Sequence, residues 1–165
     1  MNDCETINPY DGDTRPKTEQ VRDMFDSIAP AYDFMNRAMT FGIDKLWRAK
    51  AVKMIKNFKT EKILDIATGT GDLAILLTKK LSPKKLIGID LSEQMLEIGR
   101  KKVAQAGLDN IITLEQADCM NLPFENNTFD CITVAYGVRN FEHLEQGYRE
   151  MNRVIKPGGV LCVIE

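Results

Sequence analysis

The sequence lacks the features that mark secreted, membrane-spanning or metal-binding proteins. Its 165 residues include four Cys and one His, with neither a CxxC pair nor a His cluster, so we expect reduced, mostly buried thiols and no metal site. No apolar run approaches the ~18 residues of a membrane span, and residues 1–13 are too polar for a signal peptide. The net charge of −2 lacks the basic excess of a nucleic-acid-binding protein. We therefore expect a cytoplasmic globular domain with no nucleic acid as partner.

The hydrophobic pattern of the first third of the chain is helical. Residues 1–16 are polar and predict a flexible arm, and residues 17–58 predict N-terminal helices. Thr18 is the expected N-cap of one helix, which Pro30 ends or restarts. The helical spacing then continues up to Gly42, the expected C-cap. A third helix is expected over about 44–57, with an inward face of Leu46, Trp47, Val52, Met54 and Ile55 and a basic face of Lys45, Arg48, Lys50, Lys53 and Lys56.

Residues 59–165 follow a different period. Five short apolar runs lie at 62–67, 85–89, 111–115, 130–135 and 160–164, separated by helical spacing at 71–81, 92–106 and 144–155. Strands that alternate with helices in this way predict an α/β fold with a doubly wound, mostly parallel sheet, covered by helices on both faces.

A glycine-rich segment follows the first predicted strand. In Gly69-x-Gly71-x-x-Ala74 the glycines permit a tight turn and let a ligand approach the amides of a helix N-terminus. The spacing also satisfies the dinucleotide fingerprint, and a tight turn that binds no ligand is the alternative.

Carboxylates follow the strands at the same edge of the predicted sheet. Asp90 ends the second strand, about 20 residues after the glycines, where such folds place an acid on ribose hydroxyls; a helix N-cap is its alternative role, although Ser92 is the better cap. Asp118 closes the third strand region. Asp65 and Asp72 flank the glycines, where they would repel a pyrophosphate but suit the ammonium and sulfonium of S-adenosylmethionine. We therefore expect S-adenosylmethionine, with an NAD(P)-dependent oxidoreductase as the alternative of a different class.

These motifs resemble a known family. The segment Asp65-x-Ala67-x-Gly69-Thr70-Gly71, with Asp90 and Asp118, resembles the Rossmann-like class I S-adenosylmethionine-dependent methyltransferases. Residues 32–36, 41–43, 136–140 and 153–159, with Trp47, resemble the ubiquinone/menaquinone biosynthesis C-methyltransferases among them, and the likeness covers roughly residues 17–165. Three positions depart from that family's usual residues, which are Ser, His and Ser where this chain has Thr40, Asp44 and Ala135.

The resemblance implies cofactor contacts and a reaction. The contacts would come from Thr70, Asp90, Asp118 and the backbone and packing of Cys119, with Gly69 and Gly71 lining the loop beside Asp65. The reaction would transfer a methyl group from S-adenosylmethionine to a ring carbon of a polyprenyl hydroquinone, converting demethylmenaquinol to menaquinol, and leave S-adenosylhomocysteine. The ubiquinone precursor is a further substrate of the family, and a methyltransferase for another small molecule is the second interpretation.

Three residues are candidates for the chemistry at the ring. Arg139 is a fixed cation suited to stabilising a phenolate, or it forms a surface salt bridge to Glu142 or Glu145. Asn140 would orient a ring oxygen, or only form a turn. Tyr32 would line the quinol pocket, or only pack in the core. His143 is expected at an exposed helix start.

Two surface expectations concern partners. Lys45, Arg48, Lys53 and Lys56 would dock on anionic lipid at the inner face of the membrane, since a polyprenyl substrate lives in the bilayer; a solvated helix face is the alternative. The family normally continues past the fifth strand, so we expect a chain truncated there, without the C-terminal strands. Residues 160–164 would then form an unpaired apolar edge prone to self-association.

Overall fold

A computed structural model of the chain describes residues 9–10, 12–40 and 43–165, without the side chains of residues 36–40, 44 and 45. Most of the expected flexible arm, Cys4 and the expected C-cap Gly42 lie outside these residues. The side chain of Lys45 lies outside them as well. No helix among the residues described is both long enough and apolar enough to cross a membrane.

Two helices precede the sheet. Helix α1 spans Lys17–Thr40 and helix α2 spans Ile43–Ile55. Helix α1 is continuous, and Pro30 lies inside it. The prediction that Pro30 ends or restarts this helix is therefore wrong, because one lost backbone hydrogen bond is outweighed by contacts on both sides of the proline.

The second half forms a five-stranded sheet. Its strands are β1 (Lys62–Ile66), β2 (Lys85–Asp90), β3 (Ile112–Gln116), β4 (Phe129–Ala135) and β5 (Ile155–Ile164). Helix α3 (Asp72–Leu81), helix α4 (Glu93–Gln105) and helix α5 (Leu144–Val154) connect them, with a 3₁₀ turn at Val138–Asn140. The strand order is β3-β2-β1-β4-β5, and all four pairings are parallel. The predicted doubly wound α/β fold is confirmed.

The core divides between the two faces of the sheet. Ile63 and Cys131 face the side covered by α2, α3 and α4, whereas the next residues, Leu64 and Ile132, face the side covered by α5. This alternation follows from the two-residue period of a strand. Because both faces are covered, the central strands are apolar along nearly their whole length.

The buried face of helix α2 overlaps only in part with the predicted one, since Val52 and Ile55 are buried as expected. Its buried positions are Arg48, Ala51, Val52 and Ile55, which share one side of a helix. Leu46, Trp47 and Met54 were expected to face inward but are 68%, 49% and 66% exposed. Assigning Arg48 to the exposed basic face is wrong as well, since it is only 9% exposed.

Strand β5 begins earlier than predicted and is irregular at its start. Phe129 pairs with Ile155 while Cys131 pairs with Val160, so the segment Lys156-Pro157-Gly158-Gly159 bulges out of register. Gly158 has φ +77°, a conformation that favours glycine. Within the bulge, Lys156 Nζ lies 2.9 Å from Asp130 Oδ1. This ion pair lies at the start of β4 and β5, opposite the carboxyl ends of the strands described next.

Candidate functional site

A cavity of about 700 Å³, partly open to solvent, lies at the carboxyl ends of the strands. Its floor comes from the ends of β1, β2 and β4, and α1 forms a wall with Phe25 and Tyr32. The strand order reverses between β1 and β4, and ligands of open α/β sheets bind at such a switch point.

The glycine segment after β1 forms the tight turn expected from its sequence. Ala67, Gly69 and Gly71 have positive φ values of 53°, 55° and 77°. A Cβ on Gly137, after β4, would lie 2.5 Å from the Cβ of Ala67, so glycine there lets the ends of β1 and β4 come together. This close approach shapes the floor of the cavity.

Asp90 lines the cavity and holds the glycine turn in place. Its Oδ2 accepts a hydrogen bond from the Gly69 amide at 2.8 Å, and its Oδ1 accepts one from the Ser92 amide at 3.0 Å. Burial raises the pKa of Asp90, opposed by these backbone donors. The cap of α4 is Ser92, whose hydroxyl accepts from the Met95 amide, so the alternative of Asp90 as N-cap is excluded.

Asp118 and Cys119 lie on the same cavity wall, after β3. The Met120 amide donates to Asp118 Oδ1 at 2.8 Å. Cys119 is buried, and burial raises the pKa of its thiol. A neutral thiol of this kind contributes packing and backbone rather than nucleophilic chemistry.

A second, more polar cavity of about 370 Å³ adjoins the first one and shares Tyr32, Gly69 and Tyr136 with its lining. Asp65 and Thr70, both expected near the cofactor, line it together with Arg48. The Asp65 carboxylate is 1% exposed and accepts hydrogen bonds from the hydroxyls of Thr68 and Thr133. Burial raises the pKa of Asp65 to about 6, above its ordinary value of 3.8.

A charged network beside this cavity was not foreseen from the sequence. The Thr70 hydroxyl donates to Asp33 Oδ1 of α1 at 2.7 Å and accepts from Lys102 Nζ of α4 at 3.0 Å. Lys102 also forms ion pairs with Asp33 and with Asp72. Asp72 is therefore neutralised by the protein itself, which removes it from the carboxylates expected to attract a cationic ligand. Residues so far apart in sequence offer no local signal of such contacts.

The three candidates for ring chemistry are placed differently. Tyr32 and Asn140 line the large cavity, and burial raises the pKa of the Tyr32 hydroxyl. Arg139 is not among the residues that line either cavity. Its side chain is 58% exposed, with Nη1 3.7 Å from Glu165 Oε2. Its guanidinium carbon lies 5.7 Å from the ring centroid of Tyr136. Its salt-bridge partner is thus Glu165, not Glu142 or Glu145.

The remaining sequence expectations concern His143 and the thiols. His143 is exposed at the N-cap position of α5, as expected. Cys131, like Cys119, is buried, and Cys162 is half-buried; all three are free thiols. No group of metal-ligating side chains occurs among the residues that the structure describes.

The two cavities suit the chemistry of S-adenosylmethionine. The large one combines apolar walls with Asp90 and Asp118 as acceptors, which fits a nucleoside. The polar one offers a carboxylate and a guanidinium, which fits an amino-acid group. Tyr136 lines both cavities and has φ 58°; sequence reasoning did not single out its side chain.

Comparison with curated proteins shows clear relatives. A demethylmenaquinone methyltransferase of Bacteroides fragilis is 51% identical over 98% of this chain, which spans 65% of that protein. A ubiquinone/menaquinone biosynthesis C-methyltransferase of Geobacter sulfurreducens is 46% identical over 90% of this chain, and the match spans 59% of that protein. The chain therefore covers a little under two thirds of these relatives' length.

Solved structures show the same fold. An S-adenosylmethionine-dependent methyltransferase of Aquifex aeolicus is similar, with a TM-score of 0.63 and 28% identity over 70% of this chain and 62% of its own. The [4+2]-cyclase SpnF has a TM-score of 0.78 at 23% identity, covering 90% of this chain and 60% of its own, which is evidence for the fold alone. The model of the ubiE/COQ5 methyltransferase family matches residues 13–165. The chain therefore belongs to the ubiE/COQ5 methyltransferase family.

Proposed function

We propose that the chain contributes the cofactor-binding part of an S-adenosylmethionine-dependent C-methyltransferase acting on a polyprenyl hydroquinone, with demethylmenaquinol as the acceptor. One observation carries the proposal: Asp90 and Asp118, at the ends of neighbouring strands, open onto one cavity beside the glycine turn. The name of the Bacteroides fragilis relative supports the choice of acceptor.

The cofactor's nucleoside would lie in the large cavity. Each oxygen of Asp90 accepts one backbone amide and retains capacity for a ribose hydroxyl, because a carboxylate offers about four acceptor sites. Asp118 keeps one oxygen beyond its bond to the Met120 amide and would accept from the adenine amino group. The Thr70 hydroxyl is engaged by Asp33 and Lys102, so its contact to the cofactor would come from the backbone or follow a rearrangement of this network.

The chemistry at the ring rests on position and charge. When bound, S-adenosylmethionine supplies an already activated methyl group, so the protein's main task is in-line positioning of the acceptor. Tyr32 and Asn140 would hold the ring and orient one of its oxygens from the cavity wall. Arg139 would stabilise the phenolate that forms as the ring hydroxyl loses its proton, exchanging Glu165 for the ring oxygen.

A peripheral membrane contact would give access to a polyprenyl substrate. One side of α2 presents exposed Ile43, Leu46, Trp47 and Met54, and Lys50 and Lys53 are exposed along it. We propose this mixed apolar and cationic face, without the buried Arg48, as the lipid-facing surface.

The decisive experiment is a calorimetric titration of the chain with S-adenosylhomocysteine. Asp90→Asn and Asp118→Asn are each expected to weaken binding about 10–100-fold, because each removes a hydrogen bond to a charged acceptor worth about 1.5–3 kcal/mol. Asp109→Asn, an exposed acid outside the cavity, is the matched control and should bind as the unaltered chain does.

The outcome that contradicts the proposal is equally direct. Binding of NADH without binding of S-adenosylhomocysteine would return the chain to the oxidoreductase interpretation. Transfer of a methyl group from the labelled donor to demethylmenaquinol and to a methoxy-benzoquinol, measured side by side, then identifies the acceptor.

A further inference from the structure

Arg48 occupies an unusual position for an arginine. It lies on the buried side of α2 with Ala51, Val52 and Ile55 and is 9% exposed. Arginine is almost never buried without a partner of opposite charge. Its side chain lines the polar cavity beside the glycine turn, so the charge is directed into a space that a ligand can enter.

One ion pair of this guanidinium is with Asp72, which also lines the polar cavity, and this pair is not tight. The distance from Arg48 Nη1 to Asp72 Oδ2 is 3.4 Å, longer than the 2.7–2.9 Å typical of charge-assisted hydrogen bonds. Asp72 has a second and closer cation in Lys102. Because Lys102 also pairs with Asp72, a ligand carboxylate that drew the guanidinium away from Asp72 would leave Asp72 paired with a cation.

The same cavity contains a carboxyl of its own. Asp65 lines it near the guanidinium, and the charge of Arg48 acts to lower the Asp65 pKa. A cavity with a carboxylate and a guanidinium on its walls is complementary to a zwitterion, which carries one positive and one negative group. The α-amino-acid end of S-adenosylmethionine is such a group, carrying an ammonium and a carboxylate on one carbon.

We propose that Arg48 binds the α-carboxylate of the cofactor's amino-acid end and that this contact selects ligands carrying that group. The proposal rests on the proposed function, since it requires a nucleoside thioether in the large cavity. The planar guanidinium can hold a carboxylate through two parallel hydrogen bonds, which a lysine cannot reproduce. Helix α2 would thereby be a cofactor-binding element and not only part of the substrate side.

The test compares two ligands that differ only in the amino-acid end. S-adenosylhomocysteine carries the α-carboxylate, and 5′-deoxy-5′-methylthioadenosine has the same nucleoside thioether without it. Both are titrated calorimetrically into the unaltered chain, Arg48→Gln, Arg48→Lys and Lys53→Gln. Lys53 is an exposed cation of the same helix, so its substitution controls for loss of one positive charge.

Arg48→Gln is expected to weaken S-adenosylhomocysteine binding about 10–100-fold, in line with hydrogen bonds to a charged group, while methylthioadenosine affinity changes less than about twofold. Arg48→Lys should lose roughly tenfold toward the first ligand only. Lys53→Gln should change neither. Retained methylthioadenosine affinity also shows that each variant is folded.

An equal loss toward both ligands, or an unchanged ratio of the two affinities in Arg48→Lys, would overturn the role of Arg48 while leaving the proposed function intact. If Arg48→Gln fails to fold, the ratio in Arg48→Lys decides alone. A chain that binds neither ligand would overturn both proposals.

Discussion

At the scale of single residues, the protonation state of Asp65 that favours folding differs from the one that favours ligand binding. Its carboxyl is 1% exposed and sits under the glycine turn between two threonine hydroxyls. Ionising a carboxyl there is unfavourable because burial removes water from the charged form. A cationic ligand group in the polar cavity would reverse that preference by favouring the carboxylate.

Asp65→Asn should therefore stabilise the chain at neutral pH and weaken S-adenosylhomocysteine binding. The folded-state pKa of Asp65 is about 6 against 3.8 for the unfolded chain. Between these values the folded chain binds more protons, so this carboxyl's contribution to stability falls as pH rises and is lost above about pH 6. We expect Asp65→Asn to raise the free energy of unfolding by about 1–3 kcal/mol at pH 7.5, with the gain shrinking toward pH 4.

Urea unfolding at a series of pH values measures this effect. Asp109→Asn, at an exposed site, supplies the reference for a carboxyl removed without burial. A gain that stays constant from pH 4 to pH 8 would show that Asp65 is not the titrating group.

At the scale of elements, the lipid-facing surface proposed on α2 can be tested by vesicle binding, independently of cofactor binding. Leu46→Glu combined with Met54→Glu should reduce binding to phosphatidylglycerol vesicles at least about tenfold, since burying each large apolar side chain contributes about 1.5–3 kcal/mol. Tyr148→Glu, on the exposed side of α5, should leave vesicle binding unchanged. Co-sedimentation with anionic and with neutral vesicles measures both contributions, and equal binding by all three proteins would rule out this face.

The elements also show what the sequence could predict and where it could not. The alternation of apolar runs with helical spacing predicted each strand of the sheet and each helix between them within a few residues, except for the start of β5, which lies at Ile155 and not at Val160. Asp90 was foreseen at the end of its strand because parallel strands bring their carboxyl ends to one edge. This prediction needs only the local pattern and the topology.

The wrong predictions concern residues whose local sequence signal is outweighed by contacts with residues far away in the chain. Pro30 signals a break, but α1 is held on both sides of it by residues far along the chain, with Asp26 bonded to Ser92 and Asp33 to Lys102. Arg48 was assigned to the exposed basic face together with lysines, and its ion pair with Asp72 on another helix could not be seen in the sequence. Pairings between separate elements leave no periodicity, so a single sequence does not reveal them.

At the largest scale, β5 is an edge strand of the sheet formed by the residues that the structure describes. Val160, Cys162 and Ile164 pack toward the α2 side, whereas Leu161 and Val163 on the opposite face are 39% and 38% exposed. An edge strand with apolar side chains is a template for pairing with another chain. We expect the 165-residue chain to self-associate at micromolar concentration.

Sedimentation velocity tests this expectation. Val163→Lys should shift the chain toward the monomer, because a charge at an edge discourages strand pairing. Tyr148→Lys places the same charge on α5 and should leave the distribution as it was. A monomeric unaltered chain over the whole concentration range would contradict the prediction.

The position of Trp47 has a practical consequence. It is the single tryptophan of the chain, half exposed, with its ring centroid 6.4 Å from that of Tyr136, which lines both cavities. An indole so placed is a built-in optical probe, and its emission should respond when a ligand displaces water around the Tyr136 ring. Stopped-flow mixing could then follow entry into the crevice in real time, without a label attached anywhere on the molecule.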